Sequence, residues 1–218
     1  MSKLYADEHR ALQDRFDSRR MADLMEGGLV HDALTDQEQA YLASRDMFFL
    51  STIDPHGRPT VSYKGGNPGF VRVVDPGTLA FPCYDGNGMF YSMGNLARTA
   101  KVGMLFIDFE TPHRLRVQGD AKIVDDSPLL GDFPEAQFMV HVKIEEIWVN
   151  CPRYIHPHKR VETSRYVPQE GQETPMPAWK RINFVQDALP AKDQGKADTA
   201  GGLIEQEEYE ALVGKGEA

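Results

Sequence analysis

The sequence predicts a mainly β protein with flanking helices, organised as an antiparallel barrel. Three observations predict it. Short apolar runs recur between residues 47 and 149, and most are joined by turns marked with Pro and Gly. The first 44 residues instead place apolar side chains at helical spacing. One mixed segment, Met89 to Thr99, interrupts the strands and reads as a short helix.

The chain divides into an N-terminal helical segment, 1–45, a barrel, 46–150, and a C-terminal extension, 151–218. In the first, Leu4, His9, Leu12, Phe16 and Arg20 step at three to five residues, and Gly27-Gly28 breaks the pattern. Thr35 with Glu38 forms a capping box that opens a helix ending near Arg45. Met47 to Ile53 and Pro59 to Lys64 flank the turn Asp54-Pro55-His56-Gly57 and form a hairpin. Phe70 to Val74 and Thr78 to Phe81 are the next strands, joined by the turn Asp75-Pro76-Gly77. Val102 to Ile107, Leu115 to Val124 and Phe138 to Val149 complete the set. After residue 150 the text becomes proline-marked and polar, with a short amphipathic helix over Leu203 to Val213. No internal repeat is visible.

Composition narrows the function. The 218 residues fit one sizeable domain with extensions or two small ones, and 41% apolar content supports a packed core. A net charge of −9 argues against nucleic acid or an anionic membrane as the main partner. Two cysteines, Cys83 and Cys151, are too few for a disulfide framework and point to a reducing compartment. The N-terminus is too polar for a signal peptide and no apolar run spans a bilayer, so the expectation is a soluble, cytoplasmic protein.

The chemistry concentrates between Phe81 and Asn95. A glycine-bracketed loop, Asp85-Gly86-Asn87-Gly88, leads into the short helix. Glycines let backbone N–H groups converge, and a helix start adds free donors and partial positive charge, so the pair suits a phosphate. Ser92 and Asn95 lie three apart and share a helix face, with polar tips suited to phosphate oxygens. Lys64 ends a strand beside Gly65-Gly66, where it reaches a phosphate, or simply solvent. Arg114 and Arg116 flank Leu115 and so share one face of a strand. Cys83 lacks a nearby histidine to activate it and reads as an inert thiol. His156 and His158 have no third ligand close in sequence, so no metal site is assigned.

The block from Met47 to Val124 resembles the pyridoxamine 5′-phosphate oxidase-like family of FMN-binding split barrels. The residues that carry it are Thr60 to Lys64, Thr78 to Pro82, Gly86 to Asn95, Lys101 to Phe106 and Leu115 to Gly119. The resemblance implies a six-stranded antiparallel split barrel and a homodimer with FMN in clefts at its interface. By position it implies that Ser62, Tyr63 and Lys64 line the flavin ring, that Phe81 and Pro82 sit beside the ribityl chain, and that Ser92 and Asn95 take the phosphate. Arg114 falls where the oxidases place a glutamine against the flavin. Two departures stand out. The oxidases carry an Arg-Lys pair entering the short helix, where this chain has Tyr91-Ser92. Their C-terminal Arg-x-His is matched here only by Arg153-Tyr154-Ile155-His156, with different spacing.

The sequence-level expectation is therefore an FMN-dependent oxidoreductase acting on a small molecule, with NADH or NADPH as electron donor. The alternative is a non-catalytic split barrel that carries flavin or haem. A deazaflavin stands as a variant of the cofactor, and the sequence singles out no acid–base residue.

Overall fold

The computed structural model describes residues 2–218 and divides them into two units, the first ending at Glu162 and the second spanning Thr163–Ala218. In the first unit, α1 (Asp7–Arg15), α2 (Arg19–Leu29) and α3 (Asp36–Ala43) precede the strands. Gly27-Gly28 does not end a helix; α2 runs through both to Leu29, and the chain turns extended at Val30. The earlier break lies at Asp17, whose φ of 50° ends α1. The capping box is formed: Thr35 Oγ1 accepts from the Glu38 N–H at 3.3 Å, and Glu38 Oε2 accepts from the Thr35 N–H at 2.9 Å.

Seven strands follow: β1 (Met47–Ile53), β2 (Pro59–Gly65), β3 (Arg72–Asp75), β4 (Thr78–Cys83), β5 (Lys101–Asp108), β6 (His113–Val124) and β7 (Phe138–Asn150). They form one antiparallel sheet in the order β2-β1-β5-β6-β7-β4-β3. The six-strand count is thus corrected to seven. The additional element is β3, a four-residue strand at one end of the sheet that pairs with β4 through a bulge after Val73. β4 also runs past Phe81 through Pro82, opposite Met139. β3 has ended by then, so one flank of the strand is open and a residue without an N–H fits there.

Alternation gives the sheet one face that is apolar over most of its strands. Phe48 and Leu50 of β1, Leu79 and Phe81 of β4, Met104 and Phe106 of β5, and Leu115 and Val117 of β6 are buried. The ring of Phe48 lies 5.2 Å from Phe106, 5.8 Å from Phe70 and 5.0 Å from Phe81. Three strands separate β1 from β4 in the order, so this contact means that the sheet rolls over its own apolar face. The inserted helix, α4 (Tyr91–Thr99), packs Met93 and Leu96 into the same core.

The second unit has its own small core of Ala178, Ile182 and Ile204, with Ile182 and Ile204 joined by a parallel bridge. A buried ion pair, Lys180 Nζ to Asp193 Oδ2 at 2.8 Å, lies within it, and α5 (Gln206–Lys215) closes it.

Two glycines separate packing from flexibility. At Gly119, where the β6–β7 register shifts, a Cβ would stand 2.1 Å from the Lys143 carbonyl oxygen. At Gly94, mid-way along α4, nothing lies within 4 Å. Gly119→Ala should therefore cost about 1–3 kcal/mol in urea unfolding, whereas Gly94→Ala should gain about 0.5–1 kcal/mol from the lower chain entropy of alanine.

Candidate functional site

The β1–β2 hairpin presents two kinds of side chain. Thr60, Ser62 and Lys64 of β2 stand opposite Thr52, Leu50 and Phe48 of β1, so all three share the inner face. Val61 and Tyr63 point the other way and are exposed.

α4 lies on the inner side of this hairpin and is joined to it by polar contacts. Asn95, 3% exposed, donates from Nδ2 to Thr52 Oγ1 at 3.1 Å, and Thr52 Oγ1 in turn shares a 2.7 Å hydrogen bond with Thr60 Oγ1. Ser92 Oγ donates to Ser62 Oγ at 3.1 Å. Tyr91 Oη donates to Asp54 Oδ2 at 3.2 Å. The helix begins after a left-handed Phe90 (φ 46°) and stops at a left-handed Ala100 (φ 57°). Phe90, at the N-cap position, makes no side-chain capping hydrogen bond. The entry therefore offers backbone N–H donors beside the half-buried hydroxyls of Ser62 and Ser92. The preceding loop turns at Gly88 (φ 75°), and the Met89 N–H is held by Asn87 Oδ1 at 3.1 Å.

At the hairpin's turn, Asp54 is a sink for donors. Its carboxylate accepts from the N–H groups of His56 at 2.8 Å and Arg58 at 2.9 Å, and from Arg58 Nε at 2.7 Å and Nη2 at 2.6 Å. The Arg58 guanidinium first, then these N–H groups, hold the Asp54 carboxyl well below the ordinary carboxylate range. Burial pushes the Lys64 amine below its usual value, with the Cys83 thiol nearby acting the other way. Burial likewise raises the Cys83 thiol.

The outer face carries a second feature, a groove of about 580 Å³ over β2, β1, β5, β6 and β7. Phe49, Val61, Leu105, Arg116 and Trp148 line it. Tyr63 stands on the same face, its ring edge-on to Phe49 at 6.2 Å. Arg114 also belongs to this face, because Leu115 beside it is fully buried. It sits opposite Asn150 of β7, with its Nε buried and unbonded.

The structure thus brings together Ser62, Ser92 and Asn95, with Lys64 along the same strand face. It sets Tyr63 and Arg114 on the opposite face of the sheet. Phe81 is a core residue against Phe48, and Pro82 is buried in β4. The hydroxyl of Ser92 and the amide of Asn95 both face the hairpin rather than solvent. Sequence reasoning missed Thr52, Thr60, Asp54, Arg58 and Tyr91. The first two carried a signal: Thr52 follows Phe48 and Leu50 on the inner face of β1, and Thr60 stands opposite it, so two hydroxyls continue a face that begins apolar.

Residues 34–161 match the family model described as pyridoxamine 5′-phosphate oxidase. No curated protein matches the chain. Among solved structures, a candidate pyridoxamine 5′-phosphate oxidase from Lactobacillus delbrueckii is 27% identical with a TM-score of 0.44, over 54% of this chain and 95% of that one. HutZ, the haem storage protein from Vibrio cholerae, is 22% identical with a TM-score of 0.40, over 54% and 94%. An FMN-binding protein from Syntrophomonas wolfei is 14% identical with a TM-score of 0.38, over 65% and 96%.

Two outcomes follow from the contacts of α4. Asn95→Ala and Thr52→Val should each cost about 1–3 kcal/mol, because each strands a buried polar partner. The double variant should cost less than the sum, as a double-mutant cycle by urea unfolding will read. The depressed carboxyl of Asp54 adds stability that is full above its ordinary value of 3.8 and fades as pH falls through its lower folded value. Asp54→Asn should remove that part of the acid limb, seen as a shallower fall in Tm below about pH 4.

Proposed function

The chain belongs to the pyridoxamine 5′-phosphate oxidase family, and we propose that it binds FMN and uses it as an oxidoreductase on a small organic molecule. The observation that carries this is the entry of α4, which Phe90 at the N-cap does not cap, set beside the hydroxyls of Ser62 and Ser92. A phosphate monoester fits that donor set: backbone N–H groups, two hydroxyls and the positive end of a helix dipole. The Ser92 hydroxyl turns from Ser62 to the phosphate at little cost, since the two are exchangeable partners. Asn95 acts behind them, holding α4 on the hairpin.

Bound FMN would supply the hydride and electron transfer. The chain's own residues would orient it and set its charge balance. Lys64, whose amine is poorly solvated on the inner face, is the cation of the same chain that would favour an anionic reduced ring, and Arg114, on the outer face with an unbonded Nε, would do so only across an interface with a second copy. The rolled sheet is read as the family's split barrel. Its outer face exposes Val61 at 70% and Tyr63 at 62%, too much apolar and aromatic surface on one strand for a free monomer. A second copy of the chain is the proposed cover, and it would place Tyr63 and Arg114 at the interface.

Purified protein should be yellow or take up added FMN, with the released ligand identified by mass. Reduction of the bound flavin by NADH or NADPH would support the oxidoreductase over a passive carrier. A colourless protein that ignores FMN would overturn the proposal.

A further inference from the structure

The helical hairpin α1–α2 is built inside out. No described residue of either helix is buried. The helices meet through polar groups: Arg10 Nη1 donates to Asp23 Oδ1 at 2.7 Å, and Arg19 Nη2 donates to the Arg10 carbonyl at 3.4 Å. The apolar side chains are left outside. Leu12 is 56% exposed, Phe16 69%, Met21 57% and Leu24 64%. Their spacings of four and three gather them into one stripe on each helix. An amphipathic helix ordinarily turns that stripe inward, and a short helix draws most of its stability from doing so. A contiguous apolar surface of this kind marks an interaction site. The hairpin also lies ahead of residues 34–161, so its surface is no part of what the family match describes.

The charges beside the stripe identify the cover. Glu8 and Arg15 are seven residues apart, roughly two turns of α1, and flank one side of the stripe with Leu12 between them. Both are exposed, and neither has an ion-pair partner among the described residues. A second α1, turned about a two-fold axis near Leu12, runs antiparallel to the first. It sets its Arg15 on Glu8 and its Glu8 on Arg15, with Leu12 against its own copy. The ends of the hairpin agree with this. Exposed Arg20 joins Arg15 at the turn, beside Asp17, while Asp7 joins Glu8 at the open end. The patch is therefore its own complement in charge. An anionic lipid surface would satisfy Arg15 and repel Glu8.

We propose that α1–α2 is a self-association element: a second copy of this chain packs on it antiparallel through Leu12, Phe16, Met21 and Leu24, with Glu8 of each copy paired to Arg15 of the other. This contact is separate from the sheet face around Val61 and Tyr63, and it does not depend on a bound flavin. Where both contacts form, two kinds of two-fold interface make a dimer of dimers.

Sedimentation velocity of the full chain over a range of concentrations is the test. Leu12→Glu combined with Leu24→Glu should halve the mass of the largest species. Glu8→Arg should weaken the same association about tenfold, because two symmetry-related pairs turn repulsive together, and Arg15→Glu should do the same. Combining the two reversals should bring the affinity back to within about threefold of wild type, since the pairs are restored with their signs exchanged. That rescue separates pairing from the helix dipole, for which the combined variant is the worst of the three. Val61→Glu should leave a species of two copies held by the hairpins. Should Leu12→Glu with Leu24→Glu lose helix by circular dichroism, the charge-reversal series decides alone. A wild type that is monomeric at every concentration overturns the inference. So do reversals that leave the mass unchanged, reversals that weaken association without rescue, and a Val61→Glu variant that is wholly monomeric.

Discussion

The candidate site depends on one buried amide. Asn95 lies on the face of α4 that carries Met93 and Leu96 into the core, where an unpaired amide would cost more than most hydrogen bonds return. Its donor is satisfied by Thr52, and Thr52 by Thr60, so the pairing tolerates one rotation and one axial position of the helix. Apolar contacts alone would let a short helix slide or turn, because they have no direction. With Asn95 fixed, Ser92 falls beside Ser62 and Tyr91 reaches Asp54. The polar groups at the helix entry are arranged by a polar group in its middle.

The same logic explains what was legible in the sequence. Strand positions from Met47 to Val149 could be read because each run is bounded by residues with specific backbone demands, such as Pro55-His56-Gly57 and Pro76-Gly77. β3 was legible as a strand, and only the borrowed strand count left it out. The helix boundary at Asp17 was not legible, since the apolar spacing runs on through it and only a left-handed φ breaks it. Gly27-Gly28 misled for the converse reason. Glycine weakens a helix without forbidding it, and near the helix end that cost is small.

The site was legible in part. Ser92 and Asn95 were expected on one helix face and they share one, but spacing cannot say what that face packs against. A run such as Ser62-Tyr63-Lys64 cannot present three side chains to one planar ligand from one strand, because period two sends Tyr63 to the opposite side. That alternation, rather than any single residue, divides the expected set between the inner face and the outer groove. Asp54 and Arg58 were invisible as a pair because a turn sequence explains each of them separately. Only the burial of one and the exposure of the other shows that a charge has been fixed in place.

The strain at the ends of α4 bears on how such a site works. Phe90 and Ala100 both hold left-handed backbone, which costs a non-glycine residue roughly 1–2 kcal/mol each. A nine-residue helix gains little of its own to offset this. It is offset by tertiary contacts: the Ala121 N–H bonds the Ala100 carbonyl at 2.7 Å, and the ring of Phe90 stacks on Phe138 at 6.4 Å. The helix entry is therefore held by its surroundings rather than by its own sequence. A ligand that occupied the free N–H groups there would add to the same balance, since anything bound only by the folded entry stabilises it. Order at the entry and occupancy of the site are then two readings of one equilibrium, with the inner face of the β1–β2 hairpin as its fixed support.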